Sequence, residues 1–291
     1  MKDYIIRGMA ANNQISVFSV TNKQTIEKAR QLHQTSPVAT AALGRLMTAA
    51  AMMGTQLKGE GDLLTLQIKG SGPIQGIVVT TNAKAEVKGY VYNPDVDIPL
   101  NQAGKLDVSE ALGLGIMSII KDIGLKNPYI GQTHLVTGEI AEDLTYYFAT
   151  SEQVPSVVAL GVLIDRDGSV KQSGGFILQL LPNAEEYLIE KLEGNLTKMP
   201  SVTTLLEKGY TPEDMIQLVL GDLEFTVHEK LETKFSCNCT KERVEKALIS
   251  VGRKDIQEMI DDGNLIELNC HFCSKKYNFT PAELEDILRK S

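Results

Sequence analysis

An α+β fold is what the sequence predicts: an N-terminal domain of mixed sheet and helix, a helical linker, and a small C-terminal domain built round four cysteines. Three observations carry this. Strand-like and helical stretches mix over residues 1–182 without strict β-α-β alternation, which favours an α+β layer fold over a doubly wound sheet. From Asn183 the strands give out and short amphipathic helices follow over 183–231. In residues 232–291 lie all the cysteines of the 291-residue chain, in two tight pairs: Cys237-Asn238-Cys239 and Cys270-His271-Phe272-Cys273.

The length suits about two domains of roughly 150 residues, and 43% hydrophobic residues can build a sizeable core. A net charge of −8 disfavours nonspecific attachment to nucleic acid or to anionic membrane. Even residues 232–291, with ten Lys or Arg against eleven Asp or Glu, carry no basic excess for gripping phosphates. The start, Met1-Lys2-Asp3-Tyr4-Ile5-Ile6-Arg7, lacks the apolar core of a secretory signal. A cytoplasmic location is therefore expected, where thiols stay reduced and ligate metal. Pro37 to Leu57 has membrane-span length, but Arg45 near its centre and its Ala, Gly and Thr content point to a helix buried in protein.

Tyr4–Ala10 and Ile15–Thr21 read as a hairpin turning at Ala11-Asn12-Asn13-Gln14, and Asn22 opens a helix with Ile26, Ala29, Leu32 and His33 at helical spacing. Ser36-Pro37 caps the next helix, whose apolar residues cover more than one face, so that neighbours must surround it. Leu63–Lys69, Ile74–Thr80 and Ala85–Tyr92 form a meander. Neither Lys69-Gly70-Ser71-Gly72 nor Gly113-Leu114-Gly115 has the context of a phosphate or dinucleotide loop, and both read as turns. Strands at Ile116–Lys121 and Tyr129–Val136, a helix over Glu139–Thr150, and a hairpin of Val157–Ile164 and Val170–Leu181 about Asp165-Arg166-Asp167-Gly168 complete the domain.

The linker carries 14 charged and 20 apolar residues in its 49 positions. Helices so short and so charged must dock their apolar stripes on neighbours to persist. One stripe is Leu188, Leu192, Leu196 and Met199; a second helix spans Val202 to Lys208; a third begins at Thr211-Pro212 with Asp214 completing a capping box. The segment reads either as an ordinary helical subdomain or as a metastable linker whose apolar faces become available when its neighbours change.

In the last region, helices from Thr240 to about Ser250 and over Lys254–Asp262 precede a hairpin of Leu265–Asn269 with Tyr277–Phe279, and Thr280-Pro281-Ala282-Glu283 caps a terminal helix. Four thiolates from two close pairs suit one tetrahedral zinc ion at Zn–S distances of roughly 2.3 Å, and incidental buried thiols would not pair in this way. The same vicinal thiols are poised to form two short-range disulfides if an oxidant removes the metal. Sixty residues hold little core, so ligation, with roughly 10–16 kcal/mol of apparent binding free energy for structural zinc, should supply much of the stability.

No catalytic constellation emerges, and the expectation is a binding protein rather than an enzyme. The four histidines, His33, His134, His228 and His271, lack catalytic zinc spacing, and no Gly-x-Ser-x-Gly elbow exists. With four cysteines available, His271 is expected outside the ligand set. A zinc-ribbon nucleic-acid binder and a thiol oxidoreductase remain as alternatives, the first opposed by the acidic charge and the second by the position of Cys270–Cys273 outside any βαβ pattern.

The two cysteine pairs, together with Ala39-Thr40-Ala41-Ala42-Leu43-Gly44-Arg45, Lys69-Gly70-Ser71-Gly72-Pro73 and Gly174-Gly175-Phe176, resemble the redox-regulated heat-shock chaperone of thirty-three kilodaltons, a bacterial holdase family, over essentially the whole chain. The resemblance implies an ATP-independent chaperone, inactive when reduced and holding one Zn2+ through Cys237, Cys239, Cys270 and Cys273. It implies that oxidation forms the disulfides Cys237–Cys239 and Cys270–Cys273, releases zinc, and unfolds the C-terminal domain and linker. The implied partners are unfolding client proteins and, in the active state, a second copy of the chain, with no nucleic acid and no membrane.

Overall fold

Backbone geometry bears out the first hairpin. In the computed structural model, which describes residues 2–182 and 184–290, strands β1 (Tyr4–Ala10) and β2 (Ile15–Thr21) pair antiparallel, and Ala11, Asn12 and Asn13 take positive φ in the turn. Met1, Ser291 and the expected first linker residue, Asn183, lie outside the described residues. Helix α1 (Lys23–His33) is capped from a distance: the buried Asp3 carboxylate accepts the backbone N–H groups of Thr25 at 2.6 Å and Gln24 at 3.2 Å, satisfying donors that a helix start leaves unpaired. Helix α2 (Pro37–Gly54) is buried at every position except Pro37 and Arg45, and Arg45 pairs with Glu139. Among the described residues no helix is long and apolar enough to cross a membrane.

Strands β3 (Leu63–Gly70), β4 (Gly76–Asn82) and β5 (Glu86–Val91) form the meander. Residues 71–74, after β3, form a turn pressed against a short helix, α3 (Val108–Leu112), that the sequence reading missed. A Cβ at Gly72 would lie 2.5 Å from the Ala111 carbonyl oxygen, so glycine is required for this approach. Strands β6 (Gly115–Asp122) and β7 (Tyr129–His134) follow. The expected helix over Glu139–Thr150 is shorter: α4 (Ala141–Tyr147) gives way to a π-helical turn, Phe148–Glu152, that sets Glu152 against Lys121 at 2.6 Å. Strands β8 (Ser156–Ile164) and β9 (Val170–Leu180) pair about the Asp165–Gly168 turn.

Helices α5 (Glu186–Leu196), α6 (Val202–Glu207) and α7 (Pro212–Leu220) come next. The capping box of α7 is present: Thr211 Oγ1 accepts from Asp214 N at 3.2 Å, and the Asp214 carboxylate accepts from Thr211 N at 2.9 Å. The expectation that the linker over 183–231 holds no strand is corrected by β10 (Phe225–Glu232), which pairs with β1, and β11 (Lys234–Phe235), which runs parallel to β5, follows it. As an exposed edge strand, β10 tolerates Glu229, Lys230 and Glu232, so it lacks the apolar alternation that marks a covered strand.

Two sheets result, ordered β10-β1-β2-β9-β8 and β11-β5-β4-β3-β6-β7. Their facing sides, Ile5, Phe18, Val20 and Ile177 from one and Leu64, Leu66, Ile68 and Val79 from the other, enclose α2 in a single core. Because side chains alternate along a strand, Ile6, Val17, Phe176 and Leu178 point to the opposite side of the five-stranded sheet. There they are covered by Leu188, Leu192, Leu205, Met215, Ile216 and Val219 of α5, α6 and α7.

The chain divides into two compact units, Met1–Ser236 and Cys237–Ser291, so the three helices belong with both sheets. The second unit contains α8 (Lys241–Ile249), α9 (Arg253–Asp261), the hairpin β12 (Ile266–Asn269) with β13 (Lys276–Phe279), and α10 (Pro281–Lys290). Its core is small: Leu248, Ile256, Tyr277, Phe279, Leu284 and Ile287.

Replacement of the fully buried Ile216 by alanine is expected to weaken docking of α7 by about 2–5 kcal/mol. Hydrogen exchange of the α5–α7 amides will report the loss, with the strands enclosing α2 retaining their protection.

Candidate metal centre

Local folding brings the four cysteines together from two directions. Cys237 and Cys239 lie in the stretch that leads into α8, where Thr240 Oγ1 accepts the Arg243 N–H at 3.3 Å and fixes the helix start. Cys270 follows β12, and Cys273 lies in the turn back to β13. This turn is closed by Cys270 N–H donating to Lys275 O at 2.9 Å and Ser274 N–H donating to Cys270 O at 2.8 Å, with Ser274 at φ 58°.

The Sγ atoms of Cys237, Cys239, Cys270 and Cys273 all lie within 4.8 Å of one another. Across the pairs, Cys237 and Cys270 are 3.8 Å apart and Cys239 and Cys273 are 3.3 Å apart. A tetrahedron of sulfurs about a zinc ion has edges of about 3.8 Å, from the Zn–S distance. Donor type, number and spacing therefore fit one tetrahedral soft-ligand metal. Among the described residues this is the cluster positioned to hold a metal ion, and His271, which is exposed, is not in it.

The thiols are electrostatically unequal without metal. Burial raises the Cys239 pKa, but the Tyr277 hydroxyl and the neighbouring thiols outweigh it and bring the value down to about 7. Burial pushes Cys237 and Cys273 up, the neighbouring Cys239 adding to it at both. Cys239 is thus readily ionised at neutral pH. Tyr277, which the sequence reading placed only in a strand, donates from its hydroxyl towards Cys239 Sγ at 3.2 Å and Cys239 O at 3.0 Å. Sequence spacing offers no signal for this contact, since it spans 38 residues.

An α+β protein that carries a four-thiol metal site in a small terminal unit is the class defined so far, and comparison with known proteins narrows it. The family model described as Hsp33 protein matches residues 3–280. The 33 kDa chaperonin of Lachnoclostridium phytofermentans is 60% identical over 291 residues, covering 100% of both chains, and that of Clostridioides difficile is 49% identical with the same coverage. The crystal structure of the 33 kDa chaperonin (heat shock protein 33 homolog) from Thermotoga maritima superposes with a TM-score of 0.93 at 37% identity, covering 100% of this chain and 99% of that one. The chain belongs to the Hsp33 family of chaperones, as the motif resemblance indicated.

Metal binding requires four thiolates, so protons compete with the metal. The affinity for zinc is expected to fall with pH throughout the neutral range, because Cys237 and Cys273, held above the ordinary thiol value, must lose protons to bind, and more steeply below about 7, where Cys239 takes up a proton as well. Competition titrations at pH 6 and pH 8 will check the sign, with one ion bound per chain at pH 8. Chelation of that ion should abolish the helical signal of α8, α9 and α10.

Proposed function

We propose that this chain is a redox-regulated, ATP-independent holdase, inactive while Cys237, Cys239, Cys270 and Cys273 hold one zinc ion and active once they are oxidised. The observation that carries the reading is the pairing of a complete four-thiol cluster with a core of six buried side chains. Such a unit depends on its metal for stability. Bound there, zinc would cross-link the stretch before α8 to the β12–β13 hairpin and keep all four sulfurs as thiolates.

Oxidation by a peroxide balances as follows. One thiolate of a pair attacks the O–O bond, becoming a sulfenic acid and releasing hydroxide; the second thiolate then displaces hydroxide and closes the S–S bond. Two electrons pass from the pair to the peroxide at each disulfide. Formation of Cys237–Cys239 and Cys270–Cys273 removes all four thiolates, and the fold that depended on them is lost.

In functional terms the chain has three parts: residues 1–182 bind clients and dimerise, 183–231 are a metastable linker, and 232–291 are the switch. The apolar stripes of α5, α6 and α7 lie on the outer face of the five-stranded sheet. Undocking them exposes both surfaces, and extended apolar area of this kind recruits unfolding chains. Clients are held, not turned over, so the activity is binding rather than catalysis. The acidic charge supports clients over nucleic acid or anionic membrane as partners, and free thiols suit a cytoplasmic protein.

Light scattering of a thermally unfolding client enzyme tests this. Protein pretreated with hydrogen peroxide at elevated temperature should suppress aggregation at about stoichiometric amounts, and reduced, zinc-loaded protein should not. Full protection by the reduced protein, with no gain on oxidation, would remove the redox reading.

A further inference from the structure

The four sulfurs differ in what hydrogen-bonds them. Cys237 accepts from the backbone N–H of Cys239, and Cys273 from that of Lys275, contacts fixed by the local chain path. Cys239 instead faces a side-chain donor, the Tyr277 hydroxyl at 3.2 Å. This phenol is held firmly. Tyr277 sits on β13 opposite Leu268, its ring packs in the core with Phe279 and Leu284, and the residue is 7% exposed. The Lys275 ammonium lies over its ring, 5.1 Å from the centroid, and this cation–π contact helps to hold the ring in place.

In the metal-loaded protein every ligand is a thiolate, so reactivity is no longer set by which sulfur is ionised. It is set by how much electron density each sulfur offers, and a hydrogen bond to an anionic sulfur withdraws density and lowers nucleophilicity. The hydroxyl has one proton to share between Cys239 Sγ and Cys239 O at 3.0 Å. With the sulfur charged, the sulfur is the stronger acceptor.

We infer that Tyr277 is a positioning residue for the cysteine cluster: its hydroxyl, bonded to Cys239 Sγ, restrains that sulfur against electrophiles and so raises the oxidant exposure needed to open the site. The consequence for oxidants rests on the redox reading above. The restraint on Cys239 does not, because any soft electrophile senses it.

The test uses the full chain, reduced and loaded with one zinc per chain, as wild type, Tyr277→Phe and Leu284→Ala. The phenylalanine variant keeps the ring in the core and removes only the hydroxyl. The Leu284→Ala variant loosens the same core and leaves the hydroxyl in place. Each is treated with iodoacetamide, the modified cysteines are quantified by peptide mass spectrometry, and zinc release by hydrogen peroxide is followed in parallel. The Tyr277→Phe change is expected to speed alkylation of Cys239 by about tenfold, the lower end for one charge-assisted hydrogen bond, with Cys270 and Cys273 altered by less than about twofold. Peroxide-driven zinc release should also quicken. Unchanged labelling of Cys239, an equal rise at all four cysteines, or the same rise at Cys239 in Leu284→Ala would overturn the inference. A selective rise at Cys239 with no zinc released by peroxide from any of the three proteins would sustain the role of Tyr277 and remove the redox reading.

Discussion

Four sulfur atoms gathered at one point are the constraint from which the behaviour of this chain follows. The unit that carries them has six fully packed side chains to oppose the conformational entropy of about fifty residues. That core is small for a unit of this length, and a metal held by the four sulfurs would add to its stability. In the proposed reading the fold is coupled to the chemistry of the thiols, so that whatever consumes a thiolate acts on the fold.

The larger unit is built on the opposite principle. Helix α2 lies between two sheets with nearly every residue buried, so its stability is distributed over many contacts and no single group controls it. Its exception is the layer formed by α5, α6 and α7. These are short helices with capped starts at α6 and α7, and their contribution to the core comes from one apolar stripe each, laid on a sheet that already has its own buried face. The same sheet therefore has a permanent side and a side covered by marginal elements. The proposed switch would use this contrast, because a response confined to the metal unit would expose little apolar surface, whereas one reaching the central helix would destroy the protein.

Where local chemistry determines structure, the sequence was legible. The hairpin at Ala11–Gln14, the start of α2 at Pro37, the Thr211–Asp214 box and the helix beginning at Pro281 follow from turn and cap residues acting within a few positions, although Ser36 makes no side-chain cap and its hydroxyl instead accepts the distant Val96 N–H at 3.3 Å. The cysteine cluster was legible for a different reason: a soft metal demands one residue type in close pairs. What escaped depends on distant partners. Strand β10 is a strand because β1 offers it an edge, and its charged residues conceal that. The brief helix α3 carried a local sign, Asp107 three residues before Glu110, and its side chain does accept the Glu110 N–H. The bond from Tyr277 to Cys239 joins residues far apart in sequence, and only the folded hairpin brings them together.

The central claim, that loss of the thiolates becomes loss of fold and then exposure of a covered sheet face, is tested most directly by hydrogen–deuterium exchange during peroxide oxidation, with zinc release recorded on the same sample. The account predicts that amides of α8, α9 and α10 lose protection together with the metal, that those of α5, α6 and α7 follow, and that α2 and the strands enclosing it stay protected. Complete release of zinc with α5, α6 and α7 still protected would contradict it.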